Sequence, residues 1–125
     1  MLNLESLLRI PDIDPGNGYS FSPDGRVAFA CNKSGRWEIY EFVLKQADKI
    51  VQVSRGPGGK FSPRYSPDGK FLAWAVDLDG SENFHIARMD RASGEIRDLT
   101  PDVDFAIQPS YAWSPDGLRL AVSRD

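Results

Sequence analysis

The chain has 125 residues, 41% of them hydrophobic and 26% charged, with a net charge of −3. These are the proportions of a folded globular chain, and they exclude a disordered segment and the polybasic footprint of a nucleic-acid binder. A lone cysteine, Cys31, excludes an internal disulfide and a cysteine-based zinc site, is compatible with a reducing compartment, and reads as a small buried hydrophobe in an apolar strand.

Residues 1–15 are expected to form a short amphipathic helix and a linker. Leu4, Leu7 and Leu8 fall at helical spacing, and Pro11 ends the run. The stretch lacks the basic start of a signal peptide and is far too short to span a bilayer. It therefore points to the cytoplasm, with Leu4, Leu7 and Leu8 as the candidate interface. Their partner is another domain, a second subunit or the chain's own first sheet.

Beyond the linker, Ser-Pro-Asp-Gly occurs three times, at Ser22–Gly25, Ser66–Gly69 and Ser114–Gly117, with starts 44 and 48 residues apart. Ser at the first position, Pro at the second and Gly at the last are the requirements of a type I turn closed by a left-handed residue, so each copy is a hairpin. An aromatic precedes each copy (Phe21, Tyr65, Trp113), and an apolar run with a matching alanine follows (Ala28, Ala73, Ala121). The small residue is expected to let a neighbouring sheet approach.

Two more strands follow each of the first two hairpins. Trp37–Phe42 aligns with Phe84–Met89 and alternates apolar with polar as a half-buried strand does; Ile50–Ser54 aligns with Ile96–Thr100. Four antiparallel strands per unit of this length predict an all-β fold, a β-propeller in part. The units run over about 16–54, 60–100 and 107–125, two complete and half of a third. Propellers close with about four to eight blades. The outer faces and the last strand edge are thus expected to be open, inviting self-association or further blades.

Chemistry is sparse. Gly-x-Ser-x-Gly is absent, and His85, the lone histidine, aligns with Glu38 on the more polar face of its strand. Asp77, Asp79, Glu82 and Asn83 form one acidic cluster, and Asp12, Asp14 and Asn17 another. Neither has the twelve-residue spacing of a calcium loop, since Arg88 and Pro23 stand where the closing Glu belongs. Gly56, Gly58 and Gly59 lack the Lys-Ser/Thr of a phosphate loop and read as a mobile connection. Asp24, Asp68 and Asp116 are expected to serve the turns. No catalytic, cofactor-binding or metal residue is assigned, and no cofactor is called for.

The Ser-Pro-Asp-Gly hairpins, Leu72-Ala73-Trp74 and Leu99-Thr100-Pro101 resemble the blades of TolB-like propellers. The same blades form the N-terminal domain of the prolyl oligopeptidase family, notably its acylaminoacyl-peptidase and dipeptidyl-peptidase branches. Leu7-Leu8-Arg9-Ile10-Pro11 and Gly35-Arg36-Trp37-Glu38-Ile39-Tyr40 are similar to those peptidases. The resemblance implies a non-catalytic propeller fragment of a serine peptidase, a scaffold and substrate-access filter for a separate α/β-hydrolase domain, with peptide as the parent's substrate. The catalytic serine, aspartate and histidine of such enzymes match no position here. The alternative is a TolB-type partner-binding propeller without activity; a propeller lyase is disfavoured by the single histidine.

Overall fold

A computed structural model describes residues 19–78, 80, 83–101 and 107–124. The expected N-terminal helix, with Leu4, Leu7 and Leu8, lies outside these residues. So do Asp12, Asp14, Asn17, Asp79 and Glu82.

Among the described residues, ten strands form three separate antiparallel sheets. The first contains β1 (Tyr19–Phe21), β2 (Arg26–Cys31), β3 (Glu38–Val43) and β4 (Val51–Gln52), in that order. The second contains β5 (Gly59–Tyr65), β6 (Phe71–Asp77), β7 (His85–Asp90) and β8 (Ile96–Asp98). The third is the pair β9 (Ile107–Trp113) and β10 (Leu120–Arg124). Strands follow chain order within each sheet, as short hairpins require.

The three Ser-Pro-Asp-Gly turns form as their residues dictate. The amides of Gly25, Gly69 and Gly117 donate to the carbonyls of Ser22, Ser66 and Ser114 at 3.2, 2.9 and 2.9 Å, and all three glycines have φ between 74° and 85°. Each serine hydroxyl donates to the aspartate two residues on: Ser22 to Asp24, Ser66 to Asp68 at 2.8 Å, and Ser114 to Asp116 at 2.5 Å. The same hydroxyls accept from the amides of Arg26, Phe71 and Arg119 at 2.9, 3.0 and 3.1 Å. The aspartates serve the turns, as expected.

The fourth strands are shorter than the alignment implies, and a side chain explains it. Ser54 Oγ accepts from Ile39 N at 2.8 Å, and Thr100 Oγ1 accepts from Ile86 N at 3.1 Å. In each sheet a hydroxyl takes the place of a ladder carbonyl, so regular pairing stops while the buried amide stays satisfied.

The first strands of the second and third sheets are also irregular. In β5 the three-residue step from Phe61 to Arg64 faces the two-residue step from Ala75 to Ala73 of β6, and Ser62 has φ 54° ahead of Pro63. In β9 the four-residue step from Tyr111 to Ile107 faces the two-residue step from Val122 to Arg124. The β5 bulge turns the Ser62 carbonyl toward the third sheet, where it accepts from Tyr111.

The sheets pack face to face. Ala28, Ala30 and Ile39 of the first sheet join Tyr65, Leu72, Trp74, Val76, Ala87 and Met89 of the second in one buried cluster. Ala73, Ala75 and Ile86 of the second sheet join Tyr111 of the third in another. The alanines sit where a bulky residue of the next sheet arrives, which is the packing role their alignment implied. Ala121, on the third sheet, is exposed. The opposite face of the first sheet, expected to be open, is instead buried: Phe29 is 1% exposed, and its ring lies 5.7 Å from Tyr40 and 6.0 Å from Phe42.

The glycine connection packs against the second sheet at one point. Gly58 has φ 89°, and a β-carbon there would lie 2.5 Å from the Asp77 carbonyl oxygen. Gly58→Ala is expected to cost about 1–3 kcal/mol through overpacking and left-handed strain, read as a lower urea midpoint at unchanged m-value.

Candidate functional site

The polar chemistry of the described residues is concentrated between the first and second sheets. Glu38, 2% exposed, is one hub. Its Oε1 accepts from Lys60 Nζ at 2.7 Å and Arg36 Nε at 3.1 Å; its Oε2 accepts from Ser54 Oγ and Gln52 Nε2, both at 2.8 Å. Lys60, 1% exposed, also donates from Nζ to the Gly56 carbonyl at 2.5 Å, fixing the glycine connection.

Glu41, 3% exposed, is the second hub. Its Oε2 accepts from the Tyr65 hydroxyl at 2.6 Å, while Oε1 lies 2.9 Å from Arg91 and 3.6 Å from Arg26. Tyr65 and Arg91 come from the second sheet, Glu41 and Arg26 from the first. Toward the third sheet the links are neutral: the Tyr111 hydroxyl donates to the Ser62 carbonyl at 2.6 Å, and Trp113 Nε1 donates to the Arg64 carbonyl at 3.0 Å. The bulge in β5 supplies the Ser62 acceptor.

Sequence reading missed Glu38, Glu41 and Lys60 as buried groups. Their strands alternate polar and apolar residues, a pattern normally read as one wet face. Here both faces are covered. His85 is corrected by the same fact. It pairs in register with Val76 and shares its face with Ala87 and Met89, which belong to the buried cluster against the first sheet. Its Nδ1 lies 3.0 Å from Asp98 Oδ2, without hydrogen-bond alignment. No hydroxyl or thiol among the described residues hydrogen-bonds to it, so it has no nucleophile to activate.

Cys31 is fully buried, in the cluster with Phe29 and Tyr40. Asp77 Oδ1 accepts from Gly80 N at 3.0 Å, a turn contact. No group of three or more His, Cys, Asp or Glu side chains converges among the described residues. At the hairpin end lies an open cleft of about 570 Å³, where Asp24, Asp68 and Asp90 alternate with Arg26, Lys70 and Arg91. Such a surface can hold polar or zwitterionic groups, but it offers no arrangement for covalent catalysis.

The hydrogen bonds from Ser22 to Asp24, from the Lys70 amide to Asp68 and from Ser114 to Asp116 hold these carboxyls below the usual range. Burial pushes the Tyr65 hydroxyl well up, helped by its hydrogen bond to Glu41, and burial alone raises Tyr111. An unfolded tyrosine ionises near 10.0, whereas both buried hydroxyls keep their protons above that pH. Their contribution to stability is therefore complete below pH 10.0 and is lost as pH climbs toward the folded values. Urea midpoints are expected to drop between pH 9 and 11, and less steeply for Tyr111→Phe.

No family model matches the chain. It is 31% identical over 112 residues to dipeptidyl-peptidase 5 of Porphyromonas gingivalis, covering 78% of this chain and 16% of that protein. It is also 31% identical over 113 residues to the uncharacterized peptidase YuxL of Bacillus subtilis, covering 82% and 16%. Among solved structures, TolB from Acinetobacter baumannii superposes with a TM-score of 0.69 at 31% identity, over 85% of this chain and 26% of that one. The three sheets are blades of a TolB-like propeller. A second structure, putative TolB from Agrobacterium tumefaciens, matches in fold with a TM-score of 0.72 at 19% identity, over 86% of this chain and 38% of that one.

The chain thus joins TolB-like blades to homologues that include peptidases. It spans about 16% of the length of the curated peptidase relatives it matches. Within the propeller, both buried glutamate hubs lie at the junction of the first two blades.

Proposed function

We propose that this chain is the propeller portion of an oligopeptidase-like serine hydrolase in the cytoplasm, serving as scaffold and substrate-access filter for a separate α/β-hydrolase domain. The observation that carries this reading is the 31% identity to two peptidases across most of the chain. Two features of the chain support it. The described residues hold no nucleophile–base pair, and the strongest interactions fix one blade to the next. On this reading peptide is the parent's substrate, and the 125-residue chain has no turnover of its own. Leu4, Leu7 and Leu8 are the proposed contact with the catalytic domain or a second subunit.

The test compares this chain with the protein extended to the length of its relatives. The extended protein is expected to react with a fluorophosphonate probe and to cleave fluorogenic peptides; the 125-residue chain is expected to do neither. Peptide cleavage by the 125-residue chain contradicts the proposal, as does an extended protein that never labels. The second outcome favours a TolB-type partner-binding propeller, the reading that the 31% identity to TolB supports.

A further inference from the structure

The first Ser-Pro-Asp-Gly turn is built differently from the other two. Ser22 N donates to the carbonyl of Arg26, four residues on, whereas Ser66 N and Ser114 N donate to the carbonyls of Phe71 and Arg119, five residues on. The flanking pairs agree: Phe21 faces Val27, but Tyr65 faces Leu72 and Trp113 faces Leu120. The first hairpin is therefore one residue shorter, and this changes what holds its aspartate. In the longer turns a main-chain amide two residues on, Lys70 N or Leu118 N, donates to the Asp68 or Asp116 carboxyl at 3.0 Å. In the short turn the corresponding amide, Arg26 N, donates to Ser22 Oγ at 2.9 Å instead. Asp24 keeps the Ser22 hydroxyl, and its second contact is the Arg26 side chain, 35% exposed, with Nε at 3.2 Å.

The glycines differ in the same direction. Gly25 N lies 3.2 Å from the Ser22 carbonyl, against 2.9 Å for the equivalent bonds of Gly69 and Gly117. A β-carbon on Gly69 would lie 3.3 Å from Pro23 Cδ, and one on Gly117 3.6 Å from Pro67 Cδ, so each later turn nests on the turn before it. Among the described residues nothing comes within 4 Å of the same point on Gly25. Leu44 N donates to the Gly25 carbonyl at 2.9 Å, which fixes the peptide after Gly25 and not the one before it. The Asp24 side chain is 60% exposed and borders the open cleft at the hairpin end.

An aspartate followed by glycine can rearrange its own backbone, because glycine has no side chain to block the approach. The glycine nitrogen attacks the carboxylic acid carbon and a C–N bond forms. One carboxyl oxygen leaves as water, taking the amide and acid protons, and a succinimide ring results. Water then opens the ring at either carbonyl, restoring aspartate or giving isoaspartate, whose main chain runs through the β-carbon. The sequence has four Asp-Gly steps, three of them in these turns; the fourth, at Asp79, lies outside the described residues.

We propose that Asp24–Gly25 is a site of spontaneous isoaspartate formation, set apart from Asp68–Gly69 and Asp116–Gly117 by its shorter turn. The hydrogen bonds that favour the ionised form slow the step in all three turns, since the protonated acid is the electrophile. The turns differ in restraint: Asp68 and Asp116 are pinned by the main chain and their glycines are packed, whereas Asp24 is pinned by side chains and Gly25 is open. The product falls at a blade junction. A β-carbon on Gly69 would lie 3.8 Å from Asp24 Oδ1, so lengthening the first turn disturbs the seat of the second.

The test ages the folded 125-residue chain in mildly acidic buffer. Isoaspartate at Asp24, Asp68 and Asp116 is read separately by peptide mapping with electron-transfer fragmentation, and the urea-unfolded chain supplies the intrinsic rate of each site. Relative to that rate, Asp24 is expected to convert roughly fivefold faster than Asp68 or Asp116, the factor that one net hydrogen bond is worth. Inserting a lysine after Gly25 restores the longer turn and is expected to bring Asp24 down to the rate of Asp68; deleting Lys70 is expected to raise the rate at Asp68. Equal normalised rates at the three sites of the wild-type chain overturn the proposal, as does a faster rate at Asp68 or Asp116. So does a folded chain that forms no isoaspartate at Asp24 while the unfolded chain does. An insertion variant that is folded by circular dichroism and isomerises at Asp24 as fast as the wild type overturns it too. None of these readouts depends on whether the parent protein is a peptidase.

Discussion

Glu38→Ala is expected to destabilise the chain more than any surface substitution. The substitution leaves Lys60, 1% exposed, without its carboxylate and removes the partner of Ser54 Oγ and Gln52 Nε2. Breaking one half of a buried ion pair costs about 3–5 kcal/mol, against roughly 5–15 kcal/mol for the whole stability of a typical domain. Chemical denaturation should show a midpoint shift of that size or no folded baseline. Removing both charges tests the cause. Glu38→Met combined with Lys60→Met leaves neither ion unpaired, and its loss is expected to be well below that of Glu38→Ala alone. If the double variant is as unstable as the single one, the charge on Lys60 is not what makes the loss.

Trp74→Ala is expected to be comparably damaging. Trp74 is 1% exposed and belongs to the cluster that holds the first blade against the second. Truncating a buried Trp costs about 3–5 kcal/mol, through lost apolar burial and the cavity left behind. Because the cluster draws on both blades, near-ultraviolet circular dichroism should lose the signals of Trp74 and of Tyr65 together. Leu118→Ala is the control. Leu118 is 81% exposed, and its truncation is expected to change stability by less than about 0.5 kcal/mol.

The sheets were legible in the sequence because their information is local. Ser22, Ser66 and Ser114 each specify a turn through contacts no more than five residues away, so three copies could be read without tertiary knowledge. The order of strands within each sheet followed. What was not legible depends on a neighbouring blade. The bulge at Ser62 is used by a tyrosine 49 residues later. Glu38, Glu41 and His85 obey the alternation of a one-sided strand, and only contacts with the neighbouring sheet make the burial of the two glutamates and the half-burial of His85 intelligible. The ends of the fourth strands were over-extended for another reason. Ser54 and Thr100 continue the strand pattern in sequence, yet their hydroxyls replace the backbone as acceptors. The site fared worse than the fold. The candidate contact Leu4, Leu7 and Leu8 lies outside the described residues, and the charge hubs gave no motif to recognise.

The central claim is that the repeats are separate sheets stacked face to face. Nuclear Overhauser contacts measured on methyl- and aromatic-labelled protein test it most directly. The account predicts contacts from the Tyr111 ring to the Ala73 and Ala75 methyls, with no backbone amide contacts of a hydrogen-bonded ladder between β4 and β5 or between β8 and β9. A continuous ladder across either junction, as in one closed barrel, would contradict it.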